Sequence, residues 1–165
     1  HAYNQVAKDW GIAKSIYADL LRWACRMHEV GLAISHTQFH KHGAYVIRYS
    51  DLPGFTRQAQ QALSVLIRAH RRKLLGNPPK SPGTDTIGDE VIWETLLANL
   101  DEDLILVTRD RTYRYRTAYL TEEYRERTGG ALAITDRVSD ALKITGRPPS
   151  PALVRFEGRD VKNDG

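Results

Sequence analysis

Cysteine is nearly absent from this chain: Cys25 is the single one in 165 residues, which excludes an internal disulfide and any cysteine-based metal centre. No apolar run approaches the roughly 18 residues that a membrane-spanning helix needs, so no membrane partner is expected. The opening HAYNQVAKDW is polar and has no signal-peptide core, and it begins on His1 rather than Met, as expected of a fragment. A cytoplasmic setting is the expected default. Acids are scarce early: residues 1–75 carry 11 lysines and arginines against four acids, a balance of +7, while residues 76–165 carry 13 against 16, a balance of −3. A basic half suits a polyanion and would steer it electrostatically, although a solvated basic face gives the same count. What is present is ordinary for a globular protein, with 41% hydrophobic and 27% charged residues in a length that fits one domain or two small ones.

Histidine is concentrated just as unevenly. His28, His36, His40 and His42 fall in HEVGLAISHTQFHKHGAYVIRYSDLPGF, residues 28–55, and none follows His70. Residues 2–10 read as a short helical stretch stopped by Gly11, and Ser15 can cap a helix from Ile16 to about Val30. Its apolar stripe is Leu20, Leu21, Trp23, Ala24 and Met27, and His28 points with that face. Gly31 ends or kinks the helix. His36 and His40, four apart, would share one side of a further helix, a spacing that metal sites favour. Asp51 and Pro53-Gly54 make a turn, and Thr56 can cap a last helix from Arg57 to about Leu74. This helix ends in HRRK, where basic residues also suit the helix dipole.

The stretch LLRWACRMHEVGLAISHTQFHKHGAYVIRYSDLPGF, followed by LIRAHRRKL, resembles the C-terminal helical region of the exopolyphosphatase/guanosine pentaphosphate phosphohydrolase (Ppx/GppA) family, over residues 1–74. The resemblance implies an HD-type helical fold, with His28-Glu29 where such folds carry a His-Asp metal-binding pair; Glu29 is a departure. It also implies a channel for long polyphosphate, for which His40, Lys41, His42, Arg48, His70, Arg71 and Arg72 are the candidates. The family's phosphate-cleaving machinery is expected in an actin-like domain that this chain does not contain.

Residues 75–86, LGNPPKSPGTDT, break the composition and read as a linker. A helix follows from Ile87 to about Leu100, with Asp89 and Glu90 in its first turn, where acids are expected for capping reasons alone. LILVT at 104–108 reads as a buried parallel strand with Arg109-Asp110 at its C-terminal end, where open α/β sheets bind ligands. A polar helix at 119–127, a strand at 131–135, a helix at 136–144 capped by Asp136 and an edge strand at 153–156 complete the reading. IGDEVIWETLL, LILVTRD and LAITDRVSDALK, in that order, resemble the C-terminal half of a PIN-like nuclease domain. That resemblance implies a Mg²⁺ or Mn²⁺ site to which Asp89 and Asp110 contribute, RNA as a substrate, and an acid cluster whose other members lie outside this chain.

The expected architecture is therefore mixed α and β: an all-helical HD-like half at 1–74, a linker at 75–86, a partial α/β half with a short parallel sheet at 87–157, and a tail at 158–165. An open sheet edge invites a second copy of the chain as cover. Three functions stand open: a fragment or fusion from an exopolyphosphatase-type phosphatase whose helical half binds polyphosphate or a related polyanion, a PIN-like ribonuclease with an incomplete site, and a catalytically inert interaction module.

Overall fold

The structure, a computed structural model, describes residues 15–81 and 86–160. The chain divides into two compact units between Ala98 and Asn99. The helical expectation for residues 2–10 and the stop at Gly11 lie outside the described residues.

The first unit is helical. α1 spans Ser15–Met27, a 3-10 turn spans Val30–Ala33, and α2 (Phe39–Tyr49), α3 (Arg57–Leu75) and α4 (Gly88–Asn99) follow. α1 stops short of Val30 because the chain must pass Gly31 against the start of α2. A Cβ placed on Gly31 would lie 1.7 Å from the Phe39 carbonyl oxygen and 2.5 Å from the Gly43 nitrogen, so only glycine fits there. The core is Ile47, Leu63 and Ile67, with Leu20, Ala24, Met27, Val30, Leu52 and Phe55 packed around it. Each fully buried aliphatic side chain of this kind contributes about 1.5–3 kcal/mol. Buried Gln60 satisfies the end of α2 by donating from Nε2 to the carbonyls of Ile47 at 2.8 Å and Ser50 at 2.7 Å.

α3 begins and ends as its sequence predicts. The Thr56 hydroxyl accepts from the Ala59 amide at 3.1 Å. Gly76, at φ 69°, closes the helix in the left-handed region, with Asn77 N–H reaching back to Arg72 C=O at 3.1 Å. Beyond it, residues 76–81 are stitched to both neighbouring helices. Lys73 Nζ donates to the Ser81 carbonyl at 3.0 Å, and the Ser81 hydroxyl bonds the Glu90 carboxylate at 2.6 Å and accepts from Asp89 N–H at 3.0 Å. α4 accordingly packs with the helices that precede it.

The second unit carries a two-stranded parallel sheet, β1 (Leu104–Val107) and β2 (Leu132–Thr135), in the register Leu104–Leu132 to Val107–Thr135. Between the strands run α5 (Arg111–Arg114) and α6 (Thr117–Thr128), and after them α7 (Val138–Ile144) and α8 (Pro151–Asp160). Tyr113, Leu120, Tyr124 and Leu132 are its buried hydrophobics. Tyr124 donates its hydroxyl to the Glu102 carbonyl at 2.7 Å, which ties α6 to the entry of β1.

Three sequence expectations fail locally. Residues 153–156 are helix rather than an edge strand: Pro151 occupies the first turn, and the Ser150 hydroxyl accepts from Leu153 N–H at 3.2 Å. α7 is not capped by Asp136. Its first amides, Val138 and Ser139, donate to Glu157 Oε1 at 2.8 and 3.2 Å, a long-range cap that no local pattern displays. His36 sits in a bend before α2, so His36 and His40 do not share a helix side.

Candidate functional site

Of the basic candidates, His40, Lys41, His42 and Arg48 lie on α2, and His70, Arg71 and Arg72 on α3. They do not form one continuous surface. Arg72 is buried, with its side chain 4% exposed, and its Nε and Nη2 donate to Glu94 Oε1 at 3.0 and 2.8 Å. Nη1 donates to the Pro78 carbonyl. Arg72 is therefore a structural cation rather than a surface ligand for polyanions. Arg48 Nη2 reaches the Ala98 carbonyl at 3.5 Å while its guanidinium lies 5.8 Å from the Tyr49 ring centroid.

His40 and Arg71 behave differently. The Arg71 guanidinium carbon lies 5.3 Å from the Phe39 ring centroid, and the His40 ring meets the same phenyl edge-on at 6.0 Å. Both side chains carry a buried nitrogen that takes no hydrogen bond, Nδ1 of His40 and Nε of Arg71. Burial, then the charges of Arg71, Lys41 and Arg68, push the His40 imidazole down to about 4, with Glu94 pulling weakly the other way. Three cations thus converge on one imidazole that stays neutral at physiological pH. Sequence reading passed over Arg68; its position three residues before Arg71 on one helix was the available signal.

His28 and His70 form a second cluster. Their rings meet edge-on at 5.9 Å, and His28 Nδ1 lies 2.7 Å from the Cys25 carbonyl oxygen. Loss of surrounding water, then His28, lowers the His70 imidazole below its ordinary value. His28 Nε2 and Glu29 Oε1 stand 3.5 Å apart with both side chains largely exposed. His28 and His70 border a mostly apolar cavity of about 260 Å³ lined also by Leu21, Ala24, Leu66, Ile67 and Ile87. Among the described residues no group of three or more His, Cys, Asp or Glu side chains is arranged to hold a metal ion.

The two expected nuclease acids each stand at the start of a helix. Asp89 sits in the first turn of α4, in the first unit, with its backbone amide on the Ser81 hydroxyl. Asp110, in the second unit, caps α5 by accepting from Thr112 N–H at 2.7 Å. Hydrogen bonding from Thr112 holds the exposed Asp110 carboxyl below its usual range. Asp136, at the C-terminal end of β2, stands 3.4 Å from Arg114 Nη1.

Residues 2–127 match the family profile described as Ppx/GppA phosphatase, domain III. The chain belongs to this family. The match continues unbroken past Leu74, through the presumed linker and α4, to the end of α6. It therefore covers much of the stretch that resembles a PIN-like nuclease half, and gives that second resemblance no support. The matched residues include the whole described helical unit, and none of the described helices is long and apolar enough to cross a membrane.

Proposed function

We propose that the helical unit binds a polyanion of linked phosphates, and that the anion seats where α2 and α3 present His40 and Arg71. The carrying observation is the convergence of Arg71, Lys41 and Arg68 on the His40 imidazole. A phosphate oxygen beside Arg71 gains a charge-assisted hydrogen bond and offsets the repulsion among the converging cations. An imidazole kept neutral by burial and then by neighbouring cations is driven toward its charged form when an anion arrives, so binding and protonation reinforce each other. The reading assigns recognition of polyphosphate, not its cleavage, to this domain of a Ppx/GppA-type phosphatase.

The test is titration of the full chain with polyphosphate at low salt. We expect binding that weakens steeply as salt rises, by analogy with counterion release from nucleic acids. Arg71→Gln should weaken it by roughly tenfold, the loss of about 1.4 kcal/mol that one charge-assisted hydrogen bond supplies. No binding at low salt, or equal affinity in Arg71→Gln, would overturn the proposal.

A nuclease reading of the second unit retains one favourable observation: Asp110 and Asp136 follow the C-terminal ends of two parallel strands. Manganese-dependent RNA cleavage that disappears in Asp110→Asn would establish it. In the absence of such cleavage, the second unit stands as an interaction module.

A further inference from the structure

β1 and β2 are the whole of their sheet, so each strand has one edge with no strand beside it. The pairing fixes which groups lie on those edges. Leu104 N–H donates to the Ala131 carbonyl and Thr108 N–H to the Thr135 carbonyl, both at 2.8 Å. In a parallel ladder the intervening residues turn their backbone groups the other way, so the N–H and C=O of Ile105 and Val107 point out of the sheet. Among the described residues no hydrogen bond reaches them. The two edges are not equally open. α5, α6 and α7 all pack on β2, whereas the helix packed on β1 is chiefly α7. Leu132 on β2 is buried, while Val107 on β1 is 41% exposed. An apolar edge with unpaired amides and carbonyls is a template for another strand. The flanks of β1 say which strand fits. The acidic run Asp101-Glu102-Asp103 precedes it, and Arg109-Asp110-Arg111, of net positive charge, follows it, all exposed. A strand with an acidic start and a basic end complements itself only when antiparallel, because a parallel copy sets like charge on like.

We propose that a second copy of the chain pairs with this one edge to edge and antiparallel through β1, across a two-fold axis at Leu106. The result is one continuous sheet in the order β2-β1-β1-β2. In this register Ile105 faces the partner's Val107 and exchanges both backbone hydrogen bonds with it, and Asp103 faces the partner's Arg109. The contact uses the same surface on both copies, so it closes at the dimer and leaves no open β1 edge.

The experiment is sedimentation of the full chain over a dilution series, with amide hydrogen exchange read at the highest and lowest concentrations. A monomer–dimer equilibrium is expected, with the Ile105 and Val107 amides protected in the dimer and exchanging freely after dilution. Val107→Pro removes an outward donor and leaves the β1–β2 ladder intact, as proline on an edge strand can. It should weaken dimerisation roughly tenfold or more. Should that variant fail to fold, Val107→Lys, which places a charge on the edge, should do the same. Arg109→Glu sets acid against acid and should also weaken the dimer, by less at high salt. A monomer at every concentration, assembly beyond the dimer, or a dimer unchanged by any one of these replacements would overturn the proposal. So would a dimer in which these amides stay unprotected. Protection that persists on dilution would overturn it too, since the chain would then cover its own edge.

Discussion

Replacing Arg72 by alanine strips the partner from a carboxylate that has almost no water around it. The side chains of Arg72 and Glu94 are 4% and 5% exposed, and two guanidinium nitrogens bond one carboxylate oxygen at 2.8 and 3.0 Å. Removing one member of a buried pair leaves an uncompensated charge and costs about 3–5 kcal/mol. Arg72→Ala also releases the Pro78 carbonyl, so it belongs at the upper end. Glu94→Gln keeps an acceptor for the guanidinium and belongs at the lower end. Against a total stability of about 5–15 kcal/mol, either loss is large. The double replacement Arg72→Met with Glu94→Leu removes both charges and should cost far less than the sum of the single changes. Urea unfolding followed by circular dichroism reads these differences, with the denaturant slope unchanged if only stability moves. Single replacements costing under about 1 kcal/mol, or a double replacement that is simply additive, would refute the reasoning.

Gly31→Ala should unfold or severely destabilise the helical unit, because its methyl group meets the Phe39 carbonyl, and a thermal melt reads the loss. Ser150→Ala should cost about 1 kcal/mol by removing the cap of α8, measurable by urea titration. His40 gives a pH signature: its folded value is about 4 against 6.5 when unfolded, so between these the unfolded chain binds more protons. Stability is full above about pH 6.5 and falls as pH drops toward about 4, where the loss is complete. Allowing for partial exposure, the loss is on the order of 1–3 kcal/mol, and His40→Gln should flatten the profile.

The helices of the first unit were legible because their signals are local: Thr56 before α3, the basic HRRK run at its end, and apolar residues at helical spacing between. LILVT and LAIT were equally plain as β-rich runs between turn signals. The misreadings share a different cause. Arg72 looks like its neighbour Arg71 in HRRK, and only the approach of Glu94, 22 residues on, makes it structural. Residues 153–156 have β-type composition, but Ser150-Pro151 starts a helix, and that start outweighs the short apolar run. Asp136 has the chemistry of a cap, yet Glu157, 19 residues past Val138, takes the amides instead. The basic surface was legible as charge, while the orphaned nitrogens of His40 and Arg71 needed the packing of α2 on α3 to appear.

Histidine-resolved NMR of the full chain, titrated with pH in the presence and absence of tripolyphosphate, addresses the anion seat at His40 and Arg71 most directly. Without the anion, the His40 imidazole should titrate near the low value of about 4 that burial and three neighbouring cations impose. A phosphate oxygen placed beside it favours the charged ring, so at saturation its midpoint should rise by roughly one unit or more, and Arg71→Gln should reduce the rise. A His40 midpoint that stays near 4 with saturating tripolyphosphate would contradict the account.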